Sequence, residues 1–196
     1  MRFQENIEDK VTLAVPAIEA RSDGLTFTYT VTNGSHYRIY LVNQLFHRRG
    51  GSGFLVDPNL VYAEVDKNLT LYLRKQLIEV PEDLDVEAPE VPYVTPVAAV
   101  TSFAETVNMS FPIEPHDPYH PQPQAQAPYS IHQFSFSLGY LVEDMPVRVT
   151  EVSLPSGTKH WWIGYTNLLQ RQRLKVIGPL QATMQTIASF REKGRF

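Results

Sequence analysis

From Leu25 to Thr32 the chain alternates without a break: Leu25, Phe27, Tyr29 and Val31 are apolar, and threonine fills each even position from 26 to 32. A period of two sends the apolar set to one face of a strand and the threonines to the other, the pattern of a half-buried strand. Similar alternations recur. Val11, Leu13 and Val15 form one, the stretch 59–66 another, and Leu69, Leu71 and Leu73 a third. Later come Phe103, Val107, Met109 and Phe111, then Phe134, Phe136, Leu138 and Tyr140, then residues 147–154, 160–165 and 174–187. Glu105 shares the register of Phe103 and Val107, and is expected at the exposed start of its strand.

Turn residues separate these runs. Asn33-Gly34, followed by Tyr37-Arg38-Ile39-Tyr40-Leu41-Val42, predicts a tight hairpin, and Asp66-Lys67-Asn68 predicts a second. The one candidate helix is a short piece at 166–173, whose pattern suits a strand equally. About eight to ten short strands with no helical crossovers predict an all-β fold. Two antiparallel sheets packed as an immunoglobulin-like β-sandwich are expected, with a closed barrel as the alternative.

Two segments interrupt the alternation without dividing the fold. Residues 81–96 are acidic and proline-rich, and residues 112–128 are rich in proline and glutamine. Proline lacks a ladder donor, so the first is expected as a connection and not a central strand, and the second as a long solvated loop. Neither half of the chain has a complete set of strands, so residues 1–196 are read as one sandwich domain.

Composition narrows the function classes. The chain has no cysteine, which removes thiol catalysis, Cys-ligated zinc and redox switching. Its net charge of −4 opposes binding to phosphate backbones, and no nucleic-acid partner is expected. Residues 1–10 mix charged and polar side chains where an export signal would be apolar, and no run approaches the ~20 apolar residues of a membrane-spanning helix. A cytoplasmic protein with no membrane partner is expected. The Asn-x-Ser/Thr triplets at Asn33, Asn68 and Asn108 are read as chance in strand and turn sequence.

The run from Leu25 to Val42 is similar to the opening hairpin of many bacterial immunoglobulin-like domains, and the intracellular proteinase-inhibitor family of Bacillus type begins in a comparable way. The resemblance covers that hairpin alone. It implies a fold and carries over no functional residue.

Candidate chemistry is sparse. His116, Asp117 and His120 are possible metal ligands, but Pro115, Pro118 and Pro121 oppose the helix that would align two histidines, so a polar loop without metal is expected. Gly50-Gly51-Ser52-Gly53 lacks the lysine of a phosphate-binding loop, and no nucleophile elbow is present. Trp161 and Trp162 are adjacent on an expected strand beside His160, so one faces the core and the other faces out. An outward tryptophan is a binding anchor, and Tyr119 in the proline-rich loop is a further contact. The expected function is therefore a non-enzymatic protein-interaction or assembly domain, binding a protein partner or itself, with Trp161, Trp162, His160 and Tyr119 as contacts and no cofactor. The alternative is a hydrolase or metal-dependent enzyme on the same scaffold.

Overall fold

A computed structural model describes residues 7–49, 53–66, 68–119, 128–143, 148–154, 157–164 and 167–187. In chain order the strands are β1 (Val11–Ala20), β2 (Gly24–Asn33), β3 (Ile39–Gln44), β4 (Phe46–Arg49), β5 (Gly53–Val56), β6 (Tyr62–Val65) and β7 (Thr70–Lys75). Then follow β8 (Tyr93–Val97), β9 (Thr101–Ser110), β10 (Pro128–Val142), β11 (Val149–Ser153), β12 (Lys159–Ile163) and β13 (Arg173–Ile187). Two single-turn helices, α1 (Ile7–Lys10) and α2 (Leu168–Arg171), complete the elements, and α2 falls within the stretch 166–173 for which the sequence leaves helix and strand both open.

The strands form a small sheet ordered β1-β2-β9, a large sheet ordered β11-β12-β8-β3-β10-β7-β6, and a separate β4-β5 hairpin. Strand β13 joins the large sheet at β10. Phe134 pairs with both Leu71 and Leu180, and Tyr140 with both Leu41 and Arg173. A strand has two edges, so β13 runs along one edge of β10 while β7 and β3 share the other. The fold is a two-layer, all-β sandwich with no closed barrel. One pairing departs from the antiparallel expectation: β7 and β10 are parallel over Gln133↔Thr70 to Leu138↔Lys75. Parallel neighbours need a long crossover, and the chain makes it through β8 and β9.

The small sheet lays its apolar face on the large one. Leu25, Phe27, Tyr29 and Val31 are each at most 1 % exposed, and so are Phe134, Phe136, Leu138 and Tyr140 opposite them. Ring centroids lie 5.6 Å apart for Phe27 and Phe134, 5.2 Å for Phe27 and Phe136, and 4.9 Å for Tyr29 and Phe136. Pairs in this range add about 0.5–1.5 kcal/mol beyond burial, so this aromatic row is the main tie between the layers. A second apolar cluster, with Tyr40, Val42, Val94, Leu141 and Ile163, lies apart from the first and is joined by Leu77 and by Leu168 of α2. Period two puts it on the outer face of the large sheet.

The first expected hairpin is not one. β2 pairs with β1 and β9 in the small sheet, while β3 pairs with β8 and β10 in the large sheet, so residues 34–38 carry the chain between layers. Asn33 directs this crossing. Its side chain is fully buried, donates to the carbonyls of Tyr37 (2.8 Å) and Ala98 (3.0 Å), and accepts from the Ser35 hydroxyl (2.7 Å) and N–H (3.1 Å). An Asn-Gly pair suits a type I′ turn, but Gly34 keeps a negative φ here, and with both edges of β2 occupied no room is left for β3. The second expected hairpin does form, as β6 and β7. Tyr93–Val97 is also a strand, between β12 and β3, although Pro96 lies within it.

Candidate functional site

Two cavities lie over the outer face of the large sheet. Residues 77–80, residues 89–91 and α2 line one of about 290 Å³, with Leu77, Val80, Val91 and Leu168 in its wall. The larger one, of about 510 Å³, is lined by Arg38, Tyr40, Pro96, Ala98, Glu143, Val149 and Trp161. Tyr40, Pro96 and Trp161 come from the adjacent strands β3, β8 and β12, with Tyr40 directly opposite Pro96. Trp161 packs on the second apolar cluster while lining the cavity, so its ring is braced from beneath.

The polar wall is held by mutual bonds. The Tyr40 hydroxyl donates to the Glu143 carboxylate at 2.8 Å, and the Arg38 guanidinium lies 3.5 Å from the same oxygen. Burial and the bond to Glu143 raise the Tyr40 hydroxyl above its ordinary value, so it stays a donor at neutral pH. A braced aromatic floor beside a fixed guanidinium and carboxylate is suited to recognition. Among the described residues, the lining includes no serine, threonine, histidine or lysine to act as nucleophile or neutral-pH base.

The sequence-derived residues separate. His160 and Trp162 share the face of β12 opposite Trp161. The His160 ring lies 5.3 Å from that of Tyr93, its Nδ1 is 2.6 Å from Gln44 Oε1, and its Nε2 is 2.8 Å from the Thr158 hydroxyl. Burial lowers its pKa. Tyr119 is not among the cavity residues: its hydroxyl accepts the Glu90 N–H at 2.6 Å, tying its loop to the acidic connection. His116 forms a two-bond β-bridge with Ala63 and places its ring 5.8 Å from that of Tyr62. Its pKa is lowered, first by burial and then by His47. His120, with the rest of residues 120–127 of the proline-rich loop, lies outside the described residues. Among the described residues no group of three histidine or carboxylate side chains is placed to hold a metal.

A polar cluster between the layers escaped the sequence reading. Glu105 is not at an exposed strand start: its side chain is 16 % exposed and points inward from β9. Lys75, the last residue of β7, is fully buried beneath it and donates to Glu105 Oε2 at 2.6 Å and to the Pro58 carbonyl at 2.6 Å. The Tyr29 hydroxyl donates to the same carboxylate oxygen at 2.6 Å, and Asn43 Nδ2 reaches the other at 3.3 Å. Burial lowers the Lys75 pKa and Glu105 opposes that shift, while burial and Glu105 both raise Tyr29 well above an ordinary tyrosine. The cluster joins β2, β3, β7 and β9 across the two layers.

No protein-family model, no curated protein and no solved structure matches this chain.

Proposed function

We propose that this chain is a non-enzymatic protein-interaction domain that receives a segment of a protein partner in the Trp161 cavity. The observation that carries the reading is the cavity itself, with an apolar floor of Trp161, Tyr40 and Val149 beside the Arg38–Glu143 pair. Aromatic side chains on rigid strands lose little entropy on binding, and the charged rim selects for orientation. An immunoglobulin-like relationship and a cytoplasmic setting belong to the same proposal. The aromatic core shared by two sheets supports the first, and the parallel β7–β10 pair is what it must accommodate.

The test is selection from a displayed library of linear peptides, followed by titration of the selected peptides with NMR detection of the tryptophan indole N–H signals. Selected peptides are expected to shift Trp161, and Trp161→Ala to weaken their binding by about 30-fold, the loss typical of a hot spot. Peptides that bind Trp161→Ala as tightly as the parent chain would refute the assignment.

A further inference from the structure

Several buried polar side chains meet at one point between the layers. Lys75, Asn43 and Tyr29 are fully buried, and Glu105 is 16 % exposed. The register of the large sheet brings the first two together. β7 runs parallel to β10 and ends with Lys75 level with Leu138, while β3 runs antiparallel on the same edge with Leu41 level with Tyr140. Continued by two residues, that register carries Asn43 toward Leu138 as well. β3 and β7 therefore meet end to end along β10, with Asn43 and Lys75 both on the inner face.

Glu105 reaches over this junction from β9 and holds both side chains. Its Oε2 accepts from Lys75 Nζ at 2.6 Å and its Oε1 from Asn43 Nδ2 at 3.3 Å. The Pro58 carbonyl accepts from Lys75 at 2.6 Å, and the Tyr29 hydroxyl donates to Glu105 Oε2 at 2.6 Å, so the amine and the carboxyl group are each fixed by a further bond. Asn43 Oδ1 is buried with no hydrogen-bond partner among the described residues. An orphan acceptor in a core costs stability and calls for a reason. The groups present are those of an amide exchange. A neutral amine is a nucleophile, a carboxamide carbon is its electrophile, and a carboxyl group touching both nitrogens can move the proton between them. Burial lowers the Lys75 pKa and so favours the amine, with Glu105 opposing the shift.

We infer that Lys75 and Asn43 join in an intramolecular isopeptide bond, with Glu105 as the proton carrier. Proton transfer across the Lys75–Glu105 hydrogen bond turns ammonium and carboxylate into amine and carboxylic acid. The Nζ lone pair forms the new bond to Asn43 Cγ, and the carbonyl electron pair moves onto Oδ1. Glu105 gives its proton to Nδ2, which it already contacts. The carbonyl then re-forms, the Cγ–Nδ2 bond breaks, ammonia leaves, and the surplus proton on Nζ passes back to Glu105. Of the protons first held by the two nitrogens, one stays on the new amide, three leave with ammonia and one rests on Glu105. No further reactant is needed. Strands holding both partners around one carboxyl group supply proximity, and the enclosed position keeps water from competing for the carbonyl. Neutral groups replace two buried charges, which favours the product once ammonia has gone. Glu105, left as an acid, adds a donor to a cluster in which the Asn43 oxygen has none. The bond ties β3 to β7, which no ladder joins among the described residues, and is independent of the Trp161 cavity. Chain that has not reacted keeps the Lys75–Glu105 ion pair, and is the species in which the contribution of that pair to stability is read.

Mass spectrometry of the intact, denatured full chain is the test. The parent is expected about 17 Da below its sequence mass, the loss of one ammonia. Its tryptic digest is expected to hold the peptides carrying Asn43 and Lys75 joined, with no cleavage after Lys75. Lys75→Arg, Asn43→Ala and Glu105→Gln are each expected at full sequence mass, with folding checked by far-ultraviolet dichroism. Asn43→Asp offers the amine a carboxyl group, and is expected to lose about 18 Da, one water, at the same residue pair, a change that a merely structural Asn43 does not predict. Where a variant does not fold, the joined peptide of the parent decides. A folded parent that stays at full sequence mass overturns the inference. So does a loss of ammonia without a joined peptide, as an asparagine cyclising on its own backbone would give, or a joined peptide that still forms in Glu105→Gln.

Discussion

Glu105→Gln tests the cluster between the layers most directly. The substitution keeps the size of the side chain and an acceptor for the Tyr29 hydroxyl, and removes the charge that faces Lys75 at 2.6 Å. Lys75 is then a buried ammonium with only neutral acceptors, the Pro58 carbonyl and the amide oxygen at position 105, and the Tyr29 ring 5.9 Å away. Breaking a buried ion pair at one end costs about 3–5 kcal/mol. An upper limit follows from proton loss. A lysine that ordinarily titrates at 10.5 can become neutral at pH 7 for about 5 kcal/mol, and at pH 9 for about 2 kcal/mol. The destabilisation by Glu105→Gln is therefore expected at about 3–5 kcal/mol at pH 7, falling to about 2 kcal/mol at pH 9. Adding Lys75→Met removes the stranded charge and is expected to return the protein to within about 2 kcal/mol of the parent. Urea unfolding at both pH values, followed by tryptophan fluorescence, gives all four corners of the cycle. A cost below about 1 kcal/mol at pH 7, no decline toward pH 9, or simple additivity of the two changes would refute the reasoning.

Burial holds His116 and His160 below the ordinary histidine value of 6.5, so the unfolded chain takes up protons first as pH falls. Their contribution is complete above that value and is lost as pH drops through the folded values, so the urea midpoint should fall between about pH 7 and pH 5, less steeply in His116→Gln. A midpoint that stays level or rises over that window would contradict the assignment. Gly178 sits at φ +135°, and a Cβ there would lie 2.6 Å from the Ser135 hydroxyl and 2.9 Å from Ser135 Cα. Gly178→Ala is expected to cost at least about 1–3 kcal/mol in urea unfolding, and a neutral result would show that β10 and β13 can separate locally at that point.

Much of the secondary structure was legible because a strand's period is local. Leu25 to Val31 and Phe134 to Tyr140 announce their buried faces within a few residues, and these two runs form the centre of the core. The charged cluster left a trace as well. Lys75 continues the inward register of Leu71 and Leu73, and Glu105 occupies the apolar register of Phe103 and Val107. Two opposite charges at inward positions are the trace of a buried pair. The tryptophan pair also declared that its two faces would differ, and β12 places Trp161 and Trp162 on opposite sides.

What alternation along the chain does not encode is which strand lies beside which. Asn33-Gly34 has the chemistry of a tight turn, yet the pairing of β2 with β9, some seventy to eighty residues downstream, leaves β3 to join the other layer. The same long-range pairing brings Glu105 over Lys75 and Tyr29, and gathers Arg38, Tyr40, Glu143 and Trp161 around one cavity. By itself, then, the sequence determined the strands and their faces, since side-chain period and turn chemistry act within a few residues. The tertiary structure decided the sheet order, the enclosed charges and the open surfaces, because these depend on hydrogen bonds and burial between segments far apart in the chain.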